Sequence, residues 1–141
     1  MTAYNPAAFE RKQRGISGSY ASQSGVNEYA RFLAQTRGSR NLGDFDRQVE
    51  QQLPSIARSY GKRGLYGAGV KSGIFNKALG LFGAEATRRR ARIEEDNFQE
   101  QRGYNLTEKN LYQDYLDRTL DNDEERAEAI ATASTNLLAL Q

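Results

Sequence analysis

The sequence predicts an all-α protein with little independent core, and three observations favour this class. Apolar residues recur at helical spacing in residues 44–60 and again from residue 74 onward. β-branched residues are too scattered to form convincing strands. Hydrophobic residues make up only 38% of the chain, below the roughly 45–50% that is usual for globular domains. The apolar stripes would therefore need another helix or another chain to cover them.

Residues 1–43 are predicted to form an extended arm with short helices. Pro6 suits the first position of a helix that Gly15 would end. Residues 15–25 are rich in Gly and Ser, a composition typical of flexible linkers. A second short helix is predicted over residues 26–36. Because this region has few apolar residues, we expect it to become ordered only through contact with other chains.

Residues 44–60 are predicted to form a longer helix that Asp44 caps and that Pro54 either kinks or causes to restart near Gln52. Residues 61–73 contain five glycines. Each glycine inside a helix costs about 1 kcal/mol, so this segment is predicted to be a glycine-rich hinge. From residue 74 to residue 141 the pattern predicts a long C-terminal helical region.

The C-terminal region contains signals for internal breaks. A break is predicted near Gly103, because Asn105 and Glu108 have the spacing of a capping box. Asp121 or Asn122 could cap a last segment. The sequence leaves open whether the region is one rod or several helices.

Apolar side chains in the C-terminal region are predicted to supply the helix packing that anchors the assembled protein. They form a wide stripe over residues 111–120 and one face of the last segment over residues 127–138. The candidate packing residues are Leu111, Tyr115, Leu116, Leu120, Ile130 and Leu137.

The charges of the chain are unevenly distributed. Residues 1–92 hold 16 Lys+Arg against 6 Asp+Glu, a balance of +10, whereas residues 93–141 hold 4 against 12, a balance of −8. One interpretation is that the two halves fold back and neutralise each other. The other is a contact between subunits, or between the basic half and a separate acidic partner. For a contact between subunits, residues 58–92 would meet residues 94–128 of another copy.

Five basic side chains are candidates for contact with another subunit or with an anion. The alternative is a solvated helix face, because acidic residues follow one turn later and Arg90 is spaced to pair with Glu94. The candidates are Lys62, Arg63, Arg88, Arg89 and Arg92.

The sequence predicts no catalytic, cofactor-binding or metal site. The chain has no Cys and no His, which excludes a Cys/His zinc site and a nucleophile–His pair. The glycine-rich segment lacks the spacing of a phosphate-binding loop. The acidic residues from Asp121 lack the Gly and Glu positions of a calcium-binding loop. A non-enzymatic protein is therefore predicted.

Residues 63–74, RGLYGAGVKSGI, are followed by an Arg-, Glu- and Gln-rich helix. This arrangement resembles small virion proteins of tailed bacteriophages, and the resemblance covers residues 60–130. It implies a structural component located in the virion and bound at the portal, tail or internal core. Its partners would be other virion proteins, its copies would form a ring in contact with the portal or tail, and ejection with the genome is a further expectation. It implies no cofactor.

Two other functions remain open. A nucleic-acid-binding protein could use the basic residues 58–92 to contact phosphates. An ejected protein could bring the apolar residues 74–82 to the host membrane. No apolar stretch in the sequence approaches the ~20 residues that a membrane-spanning helix requires.

Overall fold

The computed structural model describes residues 4–64 and 73–141. Two α-helices and no strands occur in these ranges. Helix α1 spans Pro6–Lys62, and helix α2 spans Gly73–Ala139. The predicted all-α class is confirmed.

The extended arm predicted for residues 1–43 is not observed, because α1 begins at Pro6 and continues through residues 15–25. Side chains from this stretch contact α2, where Tyr20 and Ser24 both donate hydrogen bonds to Glu108. Contacts between helices add stability that intrinsic propensity does not include, and most helical stability in proteins comes from such packing. They therefore outweigh the cost of the glycines. The helix also continues through Pro54.

The C-terminal region is one helix, because α2 continues through Gly103, where a break is predicted. The side chains expected to cap new segments reach across to α1 instead. Glu108 accepts hydrogen bonds from α1, and the side-chain amide of Asn122 donates to the carbonyl oxygen of Phe9 at 3.2 Å. Cross-helix bonds therefore replace the predicted caps.

Helix α1 ends where the glycine-rich segment begins. Lys62 is its last residue, and the backbone amide of Gly64 donates to the carbonyl oxygen of Gly61 at 3.0 Å. The φ angle of Gly64 is 71°, in the left-handed region that favours glycine after a helix end. Residues 65–72 of the predicted hinge lie outside the described residues.

Contacts divide the chain into two units. Unit 1 comprises Met1–Arg31 and Gly103–Gln141, and unit 2 comprises Phe32–Arg102. Within each unit a stretch of α1 packs antiparallel on a stretch of α2. In unit 1, for example, low numbers in α1 meet high numbers in α2, as in the 2.7 Å ion pair between Lys12 and Glu125.

Very few apolar side chains are buried in either unit. Among the described residues, the buried apolar ones are Ala34 and Phe75, both in unit 2. Phe75 packs edge-on against Tyr60, with ring centroids 5.6 Å apart. Among the described residues of unit 1, the one that is buried is polar, namely Asn122. The described part of each unit is therefore a helix pair without a substantial apolar core.

Candidate interaction surfaces

The helices of unit 1 meet along a line of polar side chains, which we call the polar seam. Its α1 residues are spaced so that they lie on one face of that helix. Their side chains form hydrogen bonds with side chains of α2. The polar seam consists of Gln13, Tyr20, Ser24, Asn27, Glu108, Thr119 and Asn122.

Glu108 is half-buried and accepts hydrogen bonds from three side chains of α1. The hydroxyl groups of Ser24 and Tyr20 donate to its Oε1 at 2.8 and 3.0 Å. The amide of Asn27 donates to its Oε2 at 3.4 Å and to the carbonyl oxygen of Tyr104 at 3.0 Å. The bonds from Ser24, Tyr20 and Asn27 favour the carboxylate, so the pKa of Glu108 lies below its ordinary value. The bond to Glu108 in turn raises the pKa of Tyr20.

This lowered pKa predicts an acid-sensitive contribution to the stability of unit 1. A carboxyl group whose folded pKa is depressed stabilises the fold above its unfolded pKa, and the contribution is lost as pH falls through the folded pKa. We expect Glu108→Gln to reduce the drop in Tm between about pH 7 and about pH 3, measured by circular dichroism. Asp117→Asn, at an exposed carboxylate of the same helix, is the control and should leave that drop unchanged. An identical drop in Glu108→Gln and wild type would contradict this role.

Asn122 is the most deeply buried member of the polar seam, with 3% of its surface exposed. Its amide donates to Phe9 and, at 3.2 Å, to Oε1 of Gln13, whose own amide donates to Thr119 at 3.1 Å. In some helix pairs a buried polar side chain with specific partners fixes the register more than it stabilises the pair. Asn122 has such partners on α1 through its amide group, while its Oδ1 is buried without a hydrogen-bond partner among the described residues.

Unit 2 brings its helices together at small residues. Ala34 and Gly38 are buried on α1. A Cβ atom on Gly38 would lie 2.8 Å from side-chain atoms of Asn97, whose amide donates to the carbonyl oxygen of Gly38 at 3.2 Å. Gly38 follows the short helix predicted over residues 26–36, yet it lies inside α1 and permits this close approach.

Large apolar side chains lie exposed on both units. Leu116 and Leu120, on α2 in unit 1, are 40% and 57% exposed. The others in unit 1 are Val26, Tyr29, Leu106, Tyr112, Ile130, Leu137, Leu138 and Leu140, and those in unit 2 are Phe32, Leu33, Leu53, Ile74, Leu81 and Phe98. Extensive apolar exposure of this kind marks surfaces that bind other molecules.

The predicted packing residues on α2 differ in burial. Leu111 and Tyr115 are half-buried, and the Tyr115 ring stacks on Tyr20 of α1 with centroids 5.0 Å apart. The remaining four are exposed within their unit: Leu116, Leu120, Ile130 and Leu137. These four are available to another chain.

The predicted basic contact residues are exposed, but not all are free to meet a partner. Arg89 forms an ion pair with Glu85 at 2.7 Å, and the Arg63 guanidinium lies 5.7 Å from the centre of the Tyr60 ring. Three form neither an ion pair nor a cation–π contact with another described residue: Lys62, Arg88 and Arg92.

Ion pairs between the helices neutralise part of the charge split. Lys12 pairs with Glu125 in unit 1, and Arg37 pairs with Glu100 in unit 2. These pairs are exposed, so each adds little stability. Folding back therefore accounts for some of the asymmetry, and other charges remain available for contact with a second molecule.

The described residues include no group of three or more side chains suited to bind a metal ion. A groove of about 250 Å³ in unit 2 is lined mainly by apolar side chains, including Phe45, Val49 and Phe82. No described helix is both long enough and apolar enough to cross a membrane.

Sequence reasoning does not identify the polar seam or the close approach at Gly38. The available signal is the spacing of small and polar residues at intervals of three or four from Gln13 to Gly38. That spacing becomes a helix face only if the Gly- and Ser-rich stretch is assigned to a helix.

Comparisons with protein-family models, curated proteins and solved structures found no match for the chain.

Proposed function

We propose that this chain is a non-enzymatic structural component that works in several copies, with neighbouring chains covering the apolar faces of its helices. The observation that carries the proposal is the distribution of apolar side chains. Among the described residues, only Ala34 and Phe75 are buried apolar side chains, whereas large ones such as Leu120 are exposed. Covering this surface would stabilise the assembly by about 25 cal/mol per Å² of apolar area.

The polar seam supports this proposal because its hydrogen bonds can align the two helices of unit 1 without buried apolar side chains. Hydrogen bonds to Glu108 from α1, and from Asn122 to α1, link the two helices at defined positions and would set the register of the pair. The apolar side chains on the outer faces of α1 and α2 are then free to contact other chains. This division of roles suits a protein that is one part of a larger helical assembly.

The setting that we propose is the virion of a tailed bacteriophage, with the chain bound at the portal, tail or internal core. This setting rests on the resemblance of residues 60–130 to small virion proteins. Several copies around a symmetric portal or tail would form a ring, because repeated head-to-tail contacts close when their rotation allows it. Other virion proteins would cover whatever apolar surface the copies leave exposed.

Sedimentation velocity over a series of protein concentrations tests the proposal. The wild-type chain should self-associate as concentration rises. The double variant Leu116→Glu with Leu120→Glu should remain monomeric, because charged side chains are costly to bury without partners. Thr107→Glu with Asn110→Glu, at exposed polar positions of α2, adds the same charge and should associate like wild type. A wild-type chain that stays monomeric at every concentration would contradict the proposal.

Nucleic-acid binding through residues 58–92 is a second candidate, favoured by Lys62, Arg88 and Arg92, which are exposed and form no ion pair with another described residue. Phosphate contacts give an affinity that falls steeply with salt. A monomeric chain that binds DNA with such a salt dependence would favour this candidate.

The membrane-surface function rests on Ile74 and Leu81, which are exposed, and flotation with liposomes tests it.

A further inference from the structure

Helix α2 carries an exposed ridge in unit 1, which we call the leucine–glutamate ridge. It consists of Leu116, Leu120, Glu124 and Glu128, all exposed. Residues four apart lie on successive turns of one helix face, so the four side chains form a continuous row. The row is apolar in its first half and acidic in its second. Neither glutamate forms an ion pair with a described residue.

A second exposed row occurs on α2 in unit 2, and we call it the small–basic ridge. It consists of Gly80, Ala84, Arg88 and Arg92, with the same four-residue step. A Cβ atom at Gly80 would meet nothing within 4 Å, so space lies open above the small half of the row. Neither arginine of the row is engaged in an ion pair within the described residues.

The two ridges are complementary when they run in the same direction. Large apolar side chains then face small ones, and acidic side chains face basic ones. The matched positions are Leu116 with Gly80, Leu120 with Ala84, Glu124 with Arg88, and Glu128 with Arg92. In the opposite direction both arginines would face leucines, and charges buried without partners are costly. Complementarity therefore selects a parallel contact.

We propose that the leucine–glutamate ridge of one copy packs in parallel against the small–basic ridge of a second copy. This inference rests on the proposed function and names its partner. The charge of each unit agrees with it: unit 1 has 7 Lys+Arg and 10 Asp+Glu, a balance of −3, and unit 2 has 13 and 8, a balance of +5. Each copy uses a different ridge for each neighbour, so the contact is heterologous and generates a ring or a filament.

Some charged side chains are already in ion pairs within their own unit, so we exclude them from this contact. Arg89 is paired with Glu85, and Glu125 is paired with Lys12. Glu94 is likewise bonded within its own helix, by Arg90. The charges that remain on the matched ridges are Arg88, Arg92, Glu124 and Glu128.

Disulfide cross-linking tests the parallel register directly, because the chain has no cysteine of its own. A tagged Ala84→Cys chain is mixed with an untagged Leu120→Cys chain under oxidising conditions. A disulfide requires Cα atoms about 4.4–6.8 Å apart. We expect this pair to cross-link about tenfold faster than the control pair Ala84→Cys and Glu124→Cys, which an antiparallel contact would favour. Faster linkage of the control pair would overturn the inference.

Charge reversal supplies an independent readout by sedimentation. Arg88→Glu with Arg92→Glu, and Glu124→Lys with Glu128→Lys, should each weaken self-association about tenfold, and an equimolar mixture of the two variants should restore it. Arg11→Glu with Arg14→Glu, both exposed on α1 in unit 1, changes the charge by the same amount, is the control and should associate like wild type. Equal weakening by this control would contradict a specific contact.

The outcomes separate this inference from the proposed function. Self-association without cross-linking of the parallel pair would mean that a second copy docks elsewhere, which overturns the inference and leaves the proposed function standing. Absence of self-association in the wild-type chain would defeat both.

Discussion

Replacing Leu116 or Leu120 by alanine is expected to lower the stability of the assembled protein by about 2–4 kcal/mol, as for core leucines elsewhere. The isolated chain should change by no more than about 0.5 kcal/mol, the usual range for surface substitutions. The two states differ because these side chains are exposed within unit 1 and would become buried only against another chain. Thermal unfolding of assembled and of dilute protein measures both effects.

Leu111→Ala is the matched control for this comparison. Leu111 is half-buried in its own unit, so its truncation should destabilise the dilute and the assembled protein alike. An assembled protein that tolerates both Leu116→Ala and Leu120→Ala without loss would show that this face remains in solvent.

Gly38→Leu is expected to destabilise unit 2 by about 1–3 kcal/mol, the usual cost of forcing extra volume into a packed contact. The contact is between the two helices, where a Cβ atom would lie 2.8 Å from the Asn97 side chain. The larger side chain would separate α1 from α2 and disrupt the hydrogen bond from Asn97 to the Gly38 carbonyl. Urea unfolding of the dilute chain, followed by circular dichroism, measures the loss.

Gly43→Leu provides the opposite expectation at a nearby position of the same helix. A Cβ atom at Gly43 would meet nothing within 4 Å, so the substitution should stabilise α1 by up to about 1 kcal/mol through helix propensity. If both variants shift the unfolding midpoint in the same direction and by the same amount, the close approach at Gly38 is not what stabilises unit 2.

The all-α class could be predicted because it depends on local periodicity, as in the apolar stripe that includes Leu111 and Tyr115. The continuity of α1 could not, because it depends on partners distant in sequence. Residues 15–25 have a linker's composition, yet Tyr20 and Ser24 reach Glu108, more than 80 residues away. The helix propensities of individual residues contain no information about a contact of that kind.

The polar seam was beyond prediction for the same reason. Asn122 has the residue type and sequence context of a helix cap, and its role in register follows from a hydrogen bond to Phe9, 113 residues earlier. Glu108 likewise has the spacing of a capping box with Asn105, but its carboxylate accepts hydrogen bonds from α1 instead. The charge split, in contrast, was visible in composition, but only the structure separates charges paired within a unit from those left for a second copy.

Thiol labelling of Leu116→Cys measures most directly whether another chain covers the outer face of α2 in the working protein. Because the natural chain has no cysteine, the reaction rate reports this position alone. We expect assembly to slow labelling at least about tenfold, because a buried thiol is inert. Gln23→Cys, exposed on α1, serves as the reference. Labelling of Leu116→Cys that is equally fast in dilute and assembled protein would mean that no other chain covers this face.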